Sequence, residues 1–76
     1  MKELLEYLAR ALVDEPDAVD VTVVEGERSQ ILRLRVDPDD MGKVIGRGGR
    51  TARALRTVMK AAGTHADVSA MVEIVE

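Results

Sequence analysis

The stretch Gly42-Lys43-Val44-Ile45-Gly46-Arg47-Gly48-Gly49-Arg50-Thr51 constrains this chain more than any other. It places a glycine-rich, basic loop between two helical patterns, with Gly46 and Gly49 closing a four-residue Gly-x-x-Gly turn around Arg47 and Gly48. Glycine has no Cβ, so the backbone N–H groups of such a turn can come close to an anion. The helix that follows aims its N-terminal dipole and its unpaired N–H groups at the same place. The loop is therefore expected to contact phosphate, and in particular to hold a nucleic-acid backbone.

The net charge of −3 argues against a polyanionic ligand, but the distribution of charge argues for one. Residues 1–42 carry 5 basic and 11 acidic side chains, and residues 61–76 carry three acids and no base. Between them, Lys43, Arg47, Arg50, Arg53, Arg56 and Lys60 occupy eighteen residues that contain no acid. A local patch, rather than the total, sets where a polyanion lands.

The chain of 76 residues is expected to form one domain, residues 1–76. A domain this small buries only ~60% of its unfolded surface, so a partner subunit would help it. Cysteine is absent, which excludes disulfides and thiolate metal sites and suits a reducing cytoplasm. No apolar run approaches the ~20 residues of a membrane span, so no membrane association is expected. Tyr7 is the lone aromatic, and the core must be aliphatic.

Residues 2–13 have helical spacing, with Leu4, Leu5, Leu8, Leu12 and Val13 on one face. Pro16 ends that helix. Val19, Val21 and Val23 alternate with polar residues as a strand does, and Glu25–Ser29 is a polar turn. Residues 31–36 form a second strand, with Leu32, Leu34 and Val36 facing one way and Arg33 and Arg35 the other. Asp37 is an N-cap, followed by Pro38 and the first-turn acids Asp39 and Asp40. This helix ends at Gly46. The next is expected from Gly49 to about Ala62 or Gly63, with Thr51, Leu55, Val58 and Ala62 along one face, Ala54, Met59 and Ala61 flanking it, and Arg50, Arg53, Arg56 and Lys60 on another face. Lone His65 is expected at the surface, and residues 68–74 alternate as a third strand. Two helices between the second and third strands make those strands parallel, and the first two antiparallel. The fold class is α+β, in the order α-β-β-α-α-β, a three-stranded mixed sheet with three helices on one face.

Val44-Ile45-Gly46-Arg47-Gly48-Gly49-Arg50-Thr51 resembles the Val-Ile-Gly-x-x-Gly signature of KH domains, and the element order resembles their type II arrangement. The chain as a whole, from Glu3-Leu4-Leu5-Glu6-Tyr7 to the third strand, resembles the KhpA family of small bacterial single-KH-domain RNA-binding proteins. The resemblance implies single-stranded RNA held in a narrow apolar groove, about four nucleotides to a module. The residues it implicates are Lys43, Val44, Ile45, Gly46, Arg47, Gly48, Gly49, Arg50, Thr51, Arg53 and Ala54. It also implies homodimers, pairing with the larger RNA-binding protein KhpB (Jag), and a role as RNA chaperone or post-transcriptional regulator with effects on cell growth, division and shape. KH domains often carry a large aliphatic residue three positions after the loop's last glycine; Ala52 stands there, so a shallower or differently filled groove is expected.

A second reading makes the chain a protein-interaction module that dimerises or pairs with a larger partner, motivated by Met59, Ala61, Met71 and Val75 as semi-exposed apolar residues. An enzyme is the weakest reading. Neither a Gly-x-x-x-x-Gly-Lys-Ser/Thr loop nor a Gly-x-Gly-x-x-Gly fingerprint occurs, and no nucleophile has an evident base beside it. No cofactor is expected.

Overall fold

The computed structural model of the chain describes residues 1–75. Helix α1 (Lys2–Leu12) leads to strand β1 (Asp20–Gly26) through a 3-10 turn at Pro16–Ala18. Strand β2 (Ser29–Arg35) follows, then a 3-10 turn at Pro38–Asp40 that runs into helix α2 (Met41–Ile45). The glycine loop, Arg47–Gly49, is not helical: the chain kinks at Gly48, where φ is 64°. Helix α3 (Arg50–His65) and strand β3 (Ser69–Val75) complete the described chain. The expected α-β-β-α-α-β order and mixed sheet are both present.

Strand β2 lies at the centre of the sheet. Its antiparallel partner β1 sets Val21 against Leu34 and Val23 against Leu32. Its parallel partner β3 sets Val72 beside Leu32 and Ile74 beside Leu34. Successive strand side chains point to opposite faces, so this register collects the apolar residues on one side, where the helices cover them. The other side carries Thr22, Arg33 and Glu73 in one row and Val24, Ile31 and Met71 in the next. Arg33 Nε donates to Glu73 Oε2 at 3.2 Å across two neighbouring strands. The hairpin turn is tighter than Glu25–Ser29: pairing continues to Gly26 and Ser29, and Arg28 takes a φ of 57° to close it.

The core is aliphatic throughout. Leu5, Leu32, Leu34, Val44 and Met59 are fully buried, and Tyr7 is 70% exposed. Two helical faces differ from expectation. In α1 the buried line is Leu5 and Ala9, while Leu4 and Leu12 are more than a third exposed; small Ala9 lets the helix sit close to the sheet and turns the leucines outward. In α3 the buried residues are Ala52, Leu55, Met59 and Gly63, rather than Thr51, Leu55, Val58 and Ala62. Met59 is thus core, not a semi-exposed contact residue.

Gly63 does not stop α3. The helix continues to His65, and a Cβ on Gly63 would lie 2.5 Å from the Val68 carbonyl oxygen, so the glycine allows the chain to fold back onto the helix. The termination comes three residues later: Val68 N–H donates to Gly63 O at 2.8 Å and Asp67 N–H to Thr64 O at 3.1 Å, with Asp67 at φ 57°. That pair of bonds is a Schellman motif, with aspartate in the left-handed position that glycine usually fills.

Candidate nucleic-acid interface

The loop depends on its supports. Helix α2 has five residues, too few to be stable alone. It is held by Val44, fully buried in the core, and by the turn before it, where Asp37 Oδ1 accepts from Asp39 N–H at 2.9 Å. Gly46 ends α2 at φ 76°, its N–H donating to Gly42 O at 2.8 Å. A Cβ there would collide with the Thr51 hydroxyl and sit 2.8 Å from the Thr51 backbone nitrogen, so the position admits glycine alone. Gly48 and Gly49 also have positive φ, but nothing lies within 4 Å of where their Cβ atoms would be. Both face open space, where a ligand backbone can approach.

The loop's donors divide cleanly. Gly49 N–H is used by Gly46 O, and Arg50 N–H by Arg47 O. Among the described residues, the N–H groups of Arg47 and Gly48 have no acceptor. They stand at the start of the sixteen-residue helix α3, whose dipole places partial positive charge at that end.

At 100° per residue, α3 presents two unlike flanks. Arg56 and Lys60 lie toward β3, where with Ser69 and Met71 they line a shallow groove of about 250 Å³ and Arg56 Nε donates to the Val72 carbonyl at 3.3 Å, while Arg50 and Arg53 lie on the outward side of the helix beside Ala54, Thr57 and Val58. Thr51, Ala54 and Val58 lie toward α1 and, with Leu8, Ala11 and Leu12, line an apolar cleft of about 260 Å³. Ion pairs among the described residues involve Arg10, Arg33 and Lys43; Arg47, Arg50, Arg53, Arg56 and Lys60 take part in none.

Lys43 belongs to a different group. Its Nζ donates to Asp14 Oδ2 at 2.8 Å and to Asp40 Oδ1 at 3.2 Å. Those two carboxylates raise the Lys43 pKa against the opposing effect of burial. Burial alone would raise the Asp40 carboxyl, but hydrogen bonds from the Glu15 N–H and from Lys43 together hold it below its ordinary value.

The KhpA/KhpB KH-domain model matches residues 2–74. The chain belongs to that family. It is 56% identical to the RNA-binding protein KhpA of Clostridium acetobutylicum over 75 residues, 99% of this chain and 100% of the relative. It is 47% identical to the RNA-binding protein KhpA of Aquifex aeolicus over 76 residues, covering 96% of that protein. With the protein of the same name from Streptomyces coelicolor it shares 56% over 63 residues, 83% of this chain and 80% of the relative. No solved structure matches.

Against this KhpA/KhpB framework, the residues expected at the site separate into groups. Gly46, Arg47, Gly48, Gly49, Arg50 and Arg53 form a continuous exposed or half-exposed run of loop and helix start. Val44 lies wholly beneath it, and Ile45 is 38% exposed at the end of α2. Thr51 and Ala54 turn toward α1, and the charge of Lys43 is offset by two acids. Ala52, 4% exposed, enters the core. Leu32 and Leu34 are fully buried. Arg56 and Lys60, placed in the basic segment from sequence but not at the site, line the groove beside β3; their i, i+3, i+7 relation to Arg53 was the available signal.

Proposed function

We propose that this chain binds single-stranded RNA without catalysis. The loop Gly46–Gly49 holds the phosphodiester backbone, and the basic flank of α3 continues the path along the groove beside β3. One observation carries the reading: five basic side chains that have no acidic partner among the described residues adjoin a loop with two N–H donors unused among those residues and two glycines open to solvent. Charge-assisted contacts from Arg47 to phosphate suit such a site. The relatives' shared name, RNA-binding protein, supports it. With Tyr7 on α1 as the lone aromatic, base stacking contributes little and sequence preference is low. This fits an RNA chaperone or post-transcriptional regulator in the cytoplasm.

The test is binding of a short fluorescent single-stranded RNA at two salt concentrations. Wild type is compared with the double variant Arg47→Asp, Gly48→Asp. The Gly48 site is open, and aspartate tolerates a left-handed backbone better than most residues, so the variant keeps its fold. Loss of binding in the folded variant supports the reading; equal binding sinks the loop assignment and points to Arg33 and Arg35.

The apolar cleft between α1 and α3 favours a second function beside the first. Leu12 and Val58 are 38% and 44% exposed there, which suits a homodimer or pairing with KhpB. Sedimentation at several concentrations checks it, and a monomer throughout removes the homodimer.

A further inference from the structure

What holds the glycine loop lies outside the basic patch. Asp40 is the one buried charged residue among the described residues, 2% exposed. Its Oδ2 accepts the Glu15 N–H at 3.0 Å and its Oδ1 accepts from Lys43 Nζ at 3.2 Å, while the same Nζ reaches Asp14 at 2.8 Å. Asp14 and Glu15 follow α1; Asp40 immediately precedes α2, and Lys43 lies within it. The clamp therefore ties α2 to the segment after α1, on the side not anchored by Val44. A buried carboxylate with every partner in place is costly to disturb, since each lost partner leaves a desolvated group. The Gly46 N–H prolongs α2 by its bond to Gly42 O, so the direction of α2 sets the direction of the loop.

We infer that Asp40, acting with Lys43, is a positioning residue for RNA binding: it fixes where the Arg47 and Gly48 N–H groups point, and it never touches the RNA. This rests on the reading of the loop as the phosphate contact. The sign of the effect separates positioning from simple electrostatics. Removing an acid close to a polyanion site strengthens binding by Coulomb's law alone; removing a positioning residue weakens it.

Two variants remove the same charge. Asp40→Asn keeps an oxygen for the Glu15 N–H and loses the carboxylate that Lys43 needs. Asp14→Asn acts at an exposed side chain and leaves the Asp40–Lys43 contact intact. The backbone amide resonances of Gly46, Gly48 and Gly49 are recorded without RNA, and RNA affinity is then measured at one salt concentration. In Asp40→Asn the loop amides shift and affinity falls about five- to tenfold, the worth of one ordinary hydrogen bond. In Asp14→Asn the amides stay and affinity is equal or slightly higher. Unmoved loop amides in Asp40→Asn, or an affinity matching that of Asp14→Asn, overturn the inference. If Asp40→Asn does not fold, Lys43→Met must move the loop amides and Lys43→Arg must restore them, or the inference fails. Amides that shift in Asp40→Asn while wild type binds no RNA overturn the functional reading and, with it, the role in binding, but show the mechanical link itself.

Discussion

Gly42 and Gly63 both lie inside helices, for opposite reasons. Nothing lies within 4 Å of a Cβ on Gly42, whereas one on Gly63 meets the Val68 carbonyl and the Ala70 side chain. Gly42→Ala should therefore stabilise the fold by about 0.5–1 kcal/mol through helix propensity. Gly63→Ala gains the same propensity but must displace backbone, and should destabilise by about 1–3 kcal/mol. Urea denaturation of the two variants reads both signs. The sequence shows a glycine in each case and not what surrounds it, which is why Gly63 looked like a helix end. Asp40 has the same history: its place in an acidic first turn concealed that its carboxylate turns inward to Glu15 and Lys43. Its folded pKa lies below the ordinary 3.8, so the unfolded chain binds that proton more readily. The stabilisation it gives is complete above the unfolded value and is lost as pH falls below about 4 through the folded one. Thermal unfolding across that range should decline more steeply for wild type than for Asp40→Asn.

Helix α3 shows how far a periodic pattern reaches. Its existence and its basic character were legible, because Arg50, Arg53, Arg56 and Lys60 recur at helical spacing. Its rotation was not. Alanines at 52, 54, 61 and 62 give little contrast between faces: of the buried residues, Leu55 was expected on the apolar face and Met59 only at its flank. The correction places the basic flank against β3 and the apolar flank against α1. Arg56→Glu should therefore weaken RNA binding markedly. Val58→Ser, on the flank that faces α1, should leave RNA affinity unchanged. Fluorescence titration of the two variants checks the assignment of flanks, and a Val58→Ser variant that loses RNA would reverse it.

At the scale of the whole molecule, a net charge of −3 faces a polyanion with one positive stretch, so binding should be oriented and salt-sensitive. If three or four phosphates are neutralised by Arg47 and the bases of α3, log K should fall with log salt at a slope of about −2 to −3. Lys43 is left out of that sum because its charge is already matched. Element order and strand directions were readable from alternation and from the crossover rule, since they depend on pattern rather than on contact detail. The central strand β2 joins two pairings of unequal reach. Its hairpin with β1 closes across two residues, while its parallel partner β3 lies forty residues along the chain, as Arg33 and Glu73 mark. Pairing distant parts of a chain must first meet the entropy of closing the long loop between them. The hairpin should thus assemble first, and β3, the wall of the groove beside Arg56, should dock last. Amide hydrogens of β3 should exchange faster than those of β1 and β2, and a ligand in the groove should slow them, coupling occupancy to the last step of folding.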